Sequence, residues 1–581
     1  MRSLALFSLV AASYALAAKL EERAANWTVG QTVQTSSGPV NGHSATNDSD
    51  VSEYLGIPFG QAPIGDLRFA APLAFNGTAP LNGSSFGFSC PVHQGSSSLP
   101  TAEELAAANI TAAGITVLGV LSNRGANYSE DCLYLNIWTK PQTGDAKKAV
   151  LVWIYGGGFS SGSSSIPAYN GANIADQEDV VVVSFNYRLS ILGFPGNPNG
   201  PLNLGLLDQR LAVEWVRDNI ENFGGDSSRI TLFGQSAGGA SVDAYSYAWA
   251  SDPIAAGFIP ESGNMFGWGL PNSKAVAAEA WLNVTETFEC GNASSDPATV
   301  LSCMRNQTYT SILNAIPALS GTASILGGFG PTVDDTVIFS NYSQRTPAKV
   351  PMLIGNNNYE GGLFRTEFAL SGLFFPDTFW DDFNLQEFTC PTGIRANASI
   401  AAGNPTWRYR YFGVFPNLAV SSEAGTWHAA EIPIIFDTAP GSSTSEEVSI
   451  ANYMRGAWAA FAKNPQKGLT TYGWPEYDTR RDTLIRLAFG NITGPNLINP
   501  YRYDADCIFV NVSSTNASNY PALPDLGASV TPTPTASSSS SSATGTATGS
   551  GSTPTTSKSA GRKLKVGGWV GLGAVVVAYL L

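Results

Sequence analysis

Charged side chains are scarce in this sequence. They make up 13% of 581 residues, with 45 acids against 31 bases and a net charge of −14. Binding to nucleic acid rests on Lys and Arg gathered against phosphates. No such cluster appears in the body of the chain, which excludes nucleic acid as a partner. Histidine occurs three times, at His43, His93 and His428, so a reaction that needs an imidazole has few candidates. The six cysteines, Cys90, Cys132, Cys290, Cys303, Cys390 and Cys507, form no C-x-x-C pair and none has a histidine next to it. That spacing speaks against structural zinc, so no metal is expected, and disulfides become the default if the chain is exported.

The two ends point to export. Met1-Arg2 precedes an apolar run from Leu4 to Ala12 and then Ala15-Leu16-Ala17, the layout of a secretory signal over residues 1–17. Fourteen N-x-[ST] sequons agree with it, at Asn26, Asn47, Asn76, Asn82, Asn109, Asn127, Asn283, Asn292, Asn306, Asn341, Asn397, Asn491, Asn511 and Asn516. From 527 to 561 Ser, Thr, Pro, Gly and Ala take over, a composition that buries no core and reads as a glycosylated stalk. Residues 562–581 begin with Arg562, Lys563 and Lys565 and end in an apolar tail of 16 residues, Val566 to Leu581. A spanning helix needs about 20. With small residues upstream at Gly549-Ser550-Gly551 and Ser559-Ala560-Gly561, the tail fits a GPI-anchor signal, and a short tail anchor is the alternative. The expected location is secreted, tethered at the cell surface or wall. The chain is 43% hydrophobic, and between the ends residues 26–526 show no internal repeat. They are expected to form one catalytic α/β domain with insertions.

Within that body, Ile230 to Phe233 is a β-branched apolar strand running into Gly234-Gln235-Ser236-Ala237-Gly238 and a small-residue helix start. This is the G-x-S-x-G elbow, which projects a serine Oγ from a strained turn. The runs Lys148 to Tyr155 and Val180 to Phe185 read as strands buried on both faces, and Leu206 to Ile220 as a helix between strands. The first run ends in Gly156-Gly157-Gly158. Glycines there let backbone N–H groups face outward, so Gly157 and Gly158, with Ala237, are candidates to bind an oxyanion. His43 and His93 lie in polar stretches. His428 sits in a Gly-led loop before the apolar segment Ile432 to Phe436 and is the favoured base. An acid partner is sought between Ser236 and His428. Glu360 follows the run Val350 to Ile354 and is favoured, with Asp334 and Asp335 as alternatives.

These residues resemble the type-B carboxylesterase and lipase family of α/β-hydrolases. The motifs include Tyr54-Leu-Gly-Ile-Pro-Phe-Gly, Ser129-Glu-Asp-Cys-Leu-Tyr-Leu-Asn136, Tyr155-Gly-Gly-Gly-Phe159, Gly205-Leu-Leu-Asp-Gln209, Gly234-Gln-Ser-Ala-Gly-Gly239 and Gly355-Asn-Asn-Asn-Tyr-Glu-Gly361. The resemblance implies a mostly parallel central sheet flanked by helices. It implies Ser236, Glu360 and His428 as a triad, with Gly157, Gly158 and Ala237 as oxyanion donors and no cofactor. It also implies disulfides Cys90 to Cys132, Cys290 to Cys303 and Cys390 to Cys507, a structural Arg68 to Glu130 ion pair, and structural roles for Asp208 and Asp226.

Two departures bear on substrate. Cholinesterases of the family carry Glu before the nucleophile, where this chain has Gln235, and a Trp in the first disulfide loop, where Pro91 to Asp131 holds neither Trp nor Phe. A choline ester is disfavoured. In fungal lipases of the family that loop is a lid, and Ala102 to Leu121 is long and apolar enough for an amphipathic lid helix, a simple packed helix being the other reading. The expected activity is hydrolysis of a neutral carboxylic ester. The rivals are a long-chain acylglycerol lipase, a surface adhesion protein on the same fold, and a cell-wall structural glycoprotein.

Overall fold

Apolar runs bounded by glycine or polar turns become the strands of an eleven-stranded sheet. The computed structural model describes residues 27–510 except 47–48, 94–99, 124, 143, 145 and 318–327. The signal, stalk and tail segments therefore lie outside the described residues. From one edge the strands run Asn496–Ile498, Leu484–Leu487, Thr406–Tyr411, Met352–Asn357, Gly257–Glu261, Gly225–Gln235, Lys148–Ile154, Val181–Phe185, Tyr134–Thr139, Ser52–Pro58 and His43–Ser44. Leu484–Leu487 through Val181–Phe185 pair in parallel, and the outer strands at both edges pair antiparallel.

Every residue of Lys148–Ile154 and Val181–Phe185 is buried. Helices cover the sheet and explain why its strands are apolar on both faces. Leu204–Asn219 packs with Ala212, Val213, Trp215 and Val216 buried, and Ser445–Lys463 buries Trp458 and Phe461. A smaller three-stranded sheet sits apart from the main one in pairing, and includes Val33–Thr35. The result is the α/β-hydrolase arrangement, and all described residues fall in one compact unit.

Parallel register aligns the carboxyl ends of the central strands. Ile154 and Pro260 both lie opposite Gly234, and Glu261 lies opposite both Gln235 and Gly355. Whatever follows these residues in sequence is therefore delivered to one rim of the sheet, the rim where open α/β sheets bind ligands.

The first disulfide loop differs from expectation. Ala102 to Leu121 is two helices, Ala102–Ala107 and Ala112–Leu121. Asn109 takes a positive φ of 53° and ends the first, and Thr111 caps the second by accepting from the Gly114 amide at 2.7 Å. The second helix is fastened down. Thr111 donates from its amide to Val420 O at 3.1 Å and from its hydroxyl to Ala419 O, while Ile110 bridges Ser421. Val117, Leu118 and Leu121 are buried. A Cβ on Gly114 would stand 2.0 Å from Val420 O, so glycine is what lets the helix approach. These contacts are those of a packed helix.

Candidate active site

Ser236 stands at the aligned rim, between strand Gly225–Gln235 and helix Ala237–Ala248, with φ 59° and ψ −123°. Non-glycine residues rarely hold a positive φ. Neighbouring backbone enforces it here. A Cβ on Gly238 would meet Ile154 O at 1.9 Å, one on Gly234 the same oxygen at 2.6 Å, and one on Gly263 would meet Ser236 O at 1.9 Å. The Ser236 amide donates to Glu261 O at 2.8 Å, and its Oγ makes no hydrogen bond among the described residues.

Gly157 and Gly158 follow the neighbouring strand, with φ of 102° and 60°. Their conformation turns the chain back on itself, and Gly157 O accepts from the Ser160 and Ser161 amides at 3.0 Å each. Among the described residues no protein acceptor takes the amide of Gly157, Gly158 or Ala237. A Cβ on Gly156 would lie 2.8 Å from the Ser236 Cβ, so this glycine turn abuts the serine directly.

His428 is 1% exposed and Glu360 fully buried. His428 Nδ1 lies 2.7 Å from Glu360 Oε2. Glu360 Oε1 accepts from the Ser262 hydroxyl at 2.7 Å and the Asn357 amide at 2.5 Å. With Nδ1–H turned to the carboxylate, Nε2 carries the lone pair, and the Gln235 amide donates to it at 3.1 Å. The structure thus brings His428 to Glu360 and, through Gln235, to the residue preceding Ser236. The alternative acids are committed elsewhere. Asp334 accepts from the Thr336, Val337 and Ile338 amides, and Asp335 from Ser340. His43 contacts Ser44 O and Glu53, and His93 contacts Leu313 O.

Around this core lie residues that the sequence did not single out. Asn357 donates from Nδ2 to Trp427 O at 2.8 Å and to Glu431 Oε2, clamping the His428 loop from the strand that leads to Glu360. Burial, then the charge of Glu360, push the Glu431 carboxyl up to about 8. Burial, then Glu431, raise Glu261 well above the usual range. Their only signal in sequence is position: Glu431 is three residues after His428, Glu261 ends the strand beside the elbow and Ser262 follows it. Three aromatic rings frame the imidazole, Phe364 and Phe388 at 5.1 Å and Trp268 at 6.5 Å between centroids.

The remaining pairings sit outside the rim. Cys90 is bonded to Cys132, Cys290 to Cys303 and Cys390 to Cys507. Arg68 meets Glu130 through two contacts and also donates to Arg305 O and Gln307 O. Asp208 accepts from Nε and Nη2 of Arg188, and Asp226 pairs with Arg229. Among the described residues no three His, Cys, Asp or Glu side chains gather as a metal site.

The sequence has known relatives. Chlorogenic acid esterase of Aspergillus niger is 35% identical over 79% of this chain and 91% of its own length. Secreted lipase 5 of Gibberella zeae is 33% identical over 79% and 90%. Fumonisin B1 esterase of Sphingopyxis macrogoltabida is 30% identical over 79% and 86%. The sequence pattern of the Carboxylesterase family matches residues 29–373, and this chain belongs to that family of carboxylesterase and lipase enzymes.

Proposed function

We propose that the protein is a serine hydrolase of neutral carboxylic esters that works through an acyl-enzyme. The observation that carries this reading is the 2.7 Å contact of His428 Nδ1 with Glu360 Oε2, set beside a serine held at positive φ on the sheet's carboxyl rim. Ser236 Oγ attacks the ester carbon while His428 Nε2 takes its proton. The Gln235 amide gives up its contact at that moment, because a protonated Nε2 no longer accepts. Glu360 holds the Nδ1 side of the ring and stabilises the imidazolium. The amides of Gly157, Gly158 and Ala237 bind the oxyanion. The imidazolium then protonates the leaving alkoxide, the C–O bond breaks, and water repeats the cycle to release the acid. This cycle calls on no metal or organic cofactor.

Export is part of the proposal, supported by the signal-like residues 1–17 and by a relative described as secreted. Residues 562–581 would direct a GPI anchor, which places membrane contact in a lipid rather than in the catalytic body. That same relative's description as a lipase favours a second reading, a long-chain acylglycerol lipase in which the first disulfide loop serves as a lid. For that, Ala112–Leu121 must lift from Val420.

Hydrolysis of p-nitrophenyl esters of rising acyl length, by the full chain from a secretory host and by its Ser236→Ala variant, tests both. Activity in the parent and a loss of at least about 10⁴-fold in the variant are expected. A long-chain optimum with activation at an oil–water interface selects the lipase. A folded protein that turns over no ester sinks the hydrolase and leaves the adhesion role.

A further inference from the structure

Glu367 is a carboxyl that nothing in the proposed cycle uses. It is 1% exposed, and among the described residues neither Oε1 nor Oε2 has a hydrogen-bond partner. Among the described residues no cation compensates it, and burial alone accounts for its carboxyl being pushed up to about 8. The one basic residue of its helix, Arg365, is spent on Asp377 and Glu423. A buried polar group without a partner is costly and uncommon. Its two oxygens are therefore open to a partner from outside the chain.

Its position says which partner. Helix Gly361–Leu370 starts directly after Glu360. In a helix, residues three, four and seven apart share a face. Glu367 thus lies on the face of Glu360, Leu363 and Phe364, one turn beyond Phe364, whose ring is 5.1 Å from that of His428. The opposite side of the helix is otherwise engaged, with Thr366 bonded to Ser421 and Gly362 pressed on Ala424 O. Helix Ala102–Ala107 of the first disulfide loop packs against the same helix. An uncharged carboxyl offers one donor and one acceptor at a fixed point on this helix face, which suits a hydroxyl group and repels neither a neutral acyl chain nor a neutral alcohol.

Resting on the esterase reading above, we propose that Glu367 is a specificity-determining residue which hydrogen-bonds a hydroxyl group carried by the ester substrate, so that the enzyme favours hydroxylated esters over unsubstituted ones of the same size. A site built to bond a hydroxyl discriminates strongly against the analogue lacking it, because its own buried group is then left unpaired.

The test uses the full chain and its Glu367→Leu and Glu367→Gln variants. Two ester series are compared by kcat/KM: methyl cinnamate against methyl p-coumarate and methyl caffeate, and ethyl butyrate against glycerol monobutyrate. In the parent, the hydroxylated member of at least one series is preferred. Glu367→Leu is expected to cut that preference about tenfold or more, mainly through KM, and to leave or raise the rate on the unsubstituted ester. Glu367→Gln, which keeps a donor and an acceptor, retains most of the preference. Whichever series responds shows whether the hydroxyl sits on the acyl or the alcohol side. Unchanged preference in Glu367→Leu overturns the proposal, as does an equal loss on every ester, the mark of a structural role. A parent enzyme that hydrolyses unsubstituted esters while showing either of these results keeps the esterase reading intact; a parent inert toward every ester removes both.

Discussion

Glu360, Glu431, Glu261 and Glu367 are all buried, yet their surroundings assign them different work. Three donors converge on Glu360, which fixes its orientation toward His428. Glu431 and Glu367 are both pushed up to about 8, the first by burial and then Glu360, the second by burial alone. Raised in the folded state, each contributes stability that is complete below the unfolded carboxyl's range near 4.5 and is lost as pH climbs through about 8. The melting temperature should therefore fall from pH 5 to pH 8. Each group adds up to about 1.4 kcal/mol of lost stability per pH unit while folded and unfolded protonation differ. Differential scanning fluorimetry across this range should show a shallower slope for Glu431→Gln and for Glu367→Gln. Slopes matching the parent's would mean that these carboxyls are already ionised at pH 5.

The helix Ala112–Leu121 shows how an element's role depends on what it touches. Its sequence is apolar nearly throughout, which suits a lid and a packed helix alike. Gly114 separates the two. In an exposed helix Gly→Ala is worth about 1 kcal/mol of added stability, whereas here the added methyl meets Val420 O at 2.0 Å, and overpacking typically costs about 1–3 kcal/mol. Gly114→Ala should therefore lower the urea midpoint. A raised midpoint would show a helix standing free of Val420, as a mobile lid would. The same reasoning applies to the elbow. Gly234, Gly238 and Gly263 are legible as a motif, while the carbonyls that forbid a side chain at each come from Ile154 and Ser236, brought there by the parallel register of the strands.

At the scale of the molecule, three disulfides cross-link a chain whose charged groups are few. Cys290 and Cys303 are 13 residues apart and Cys390 and Cys507 are 117. The longer link ties helix Cys390–Ala401 to Ala505–Phe509, the last described element. Loop-closure entropy grows with the logarithm of loop length. Replacing the Cys390 and Cys507 pair by alanine should therefore cost about 2 kcal/mol more in urea unfolding than replacing Cys290 and Cys303. Equal costs would place the stabilisation in the native contacts around each bridge.

The sequence by itself determined the fold class and pointed to the elbow serine, the glycine turn and, through the scarcity of histidine, the imidazole as candidates. Each of these is a local demand on the backbone or a matter of counting, and a local demand leaves its mark in consecutive residues. Glu360 was favoured by position and implied by the resemblance, but only the tertiary structure shows it facing His428, with Asp334 and Asp335 turned to other partners. It also decided that Ser262, Asn357 and Glu431 surround that pair, and that Glu367 is left buried without a partner among the described residues. Those outcomes depend on which strand ends share a rim and which helix faces meet. His428 and Glu360 are 68 residues apart, and no spacing along the chain encodes a contact made across a sheet.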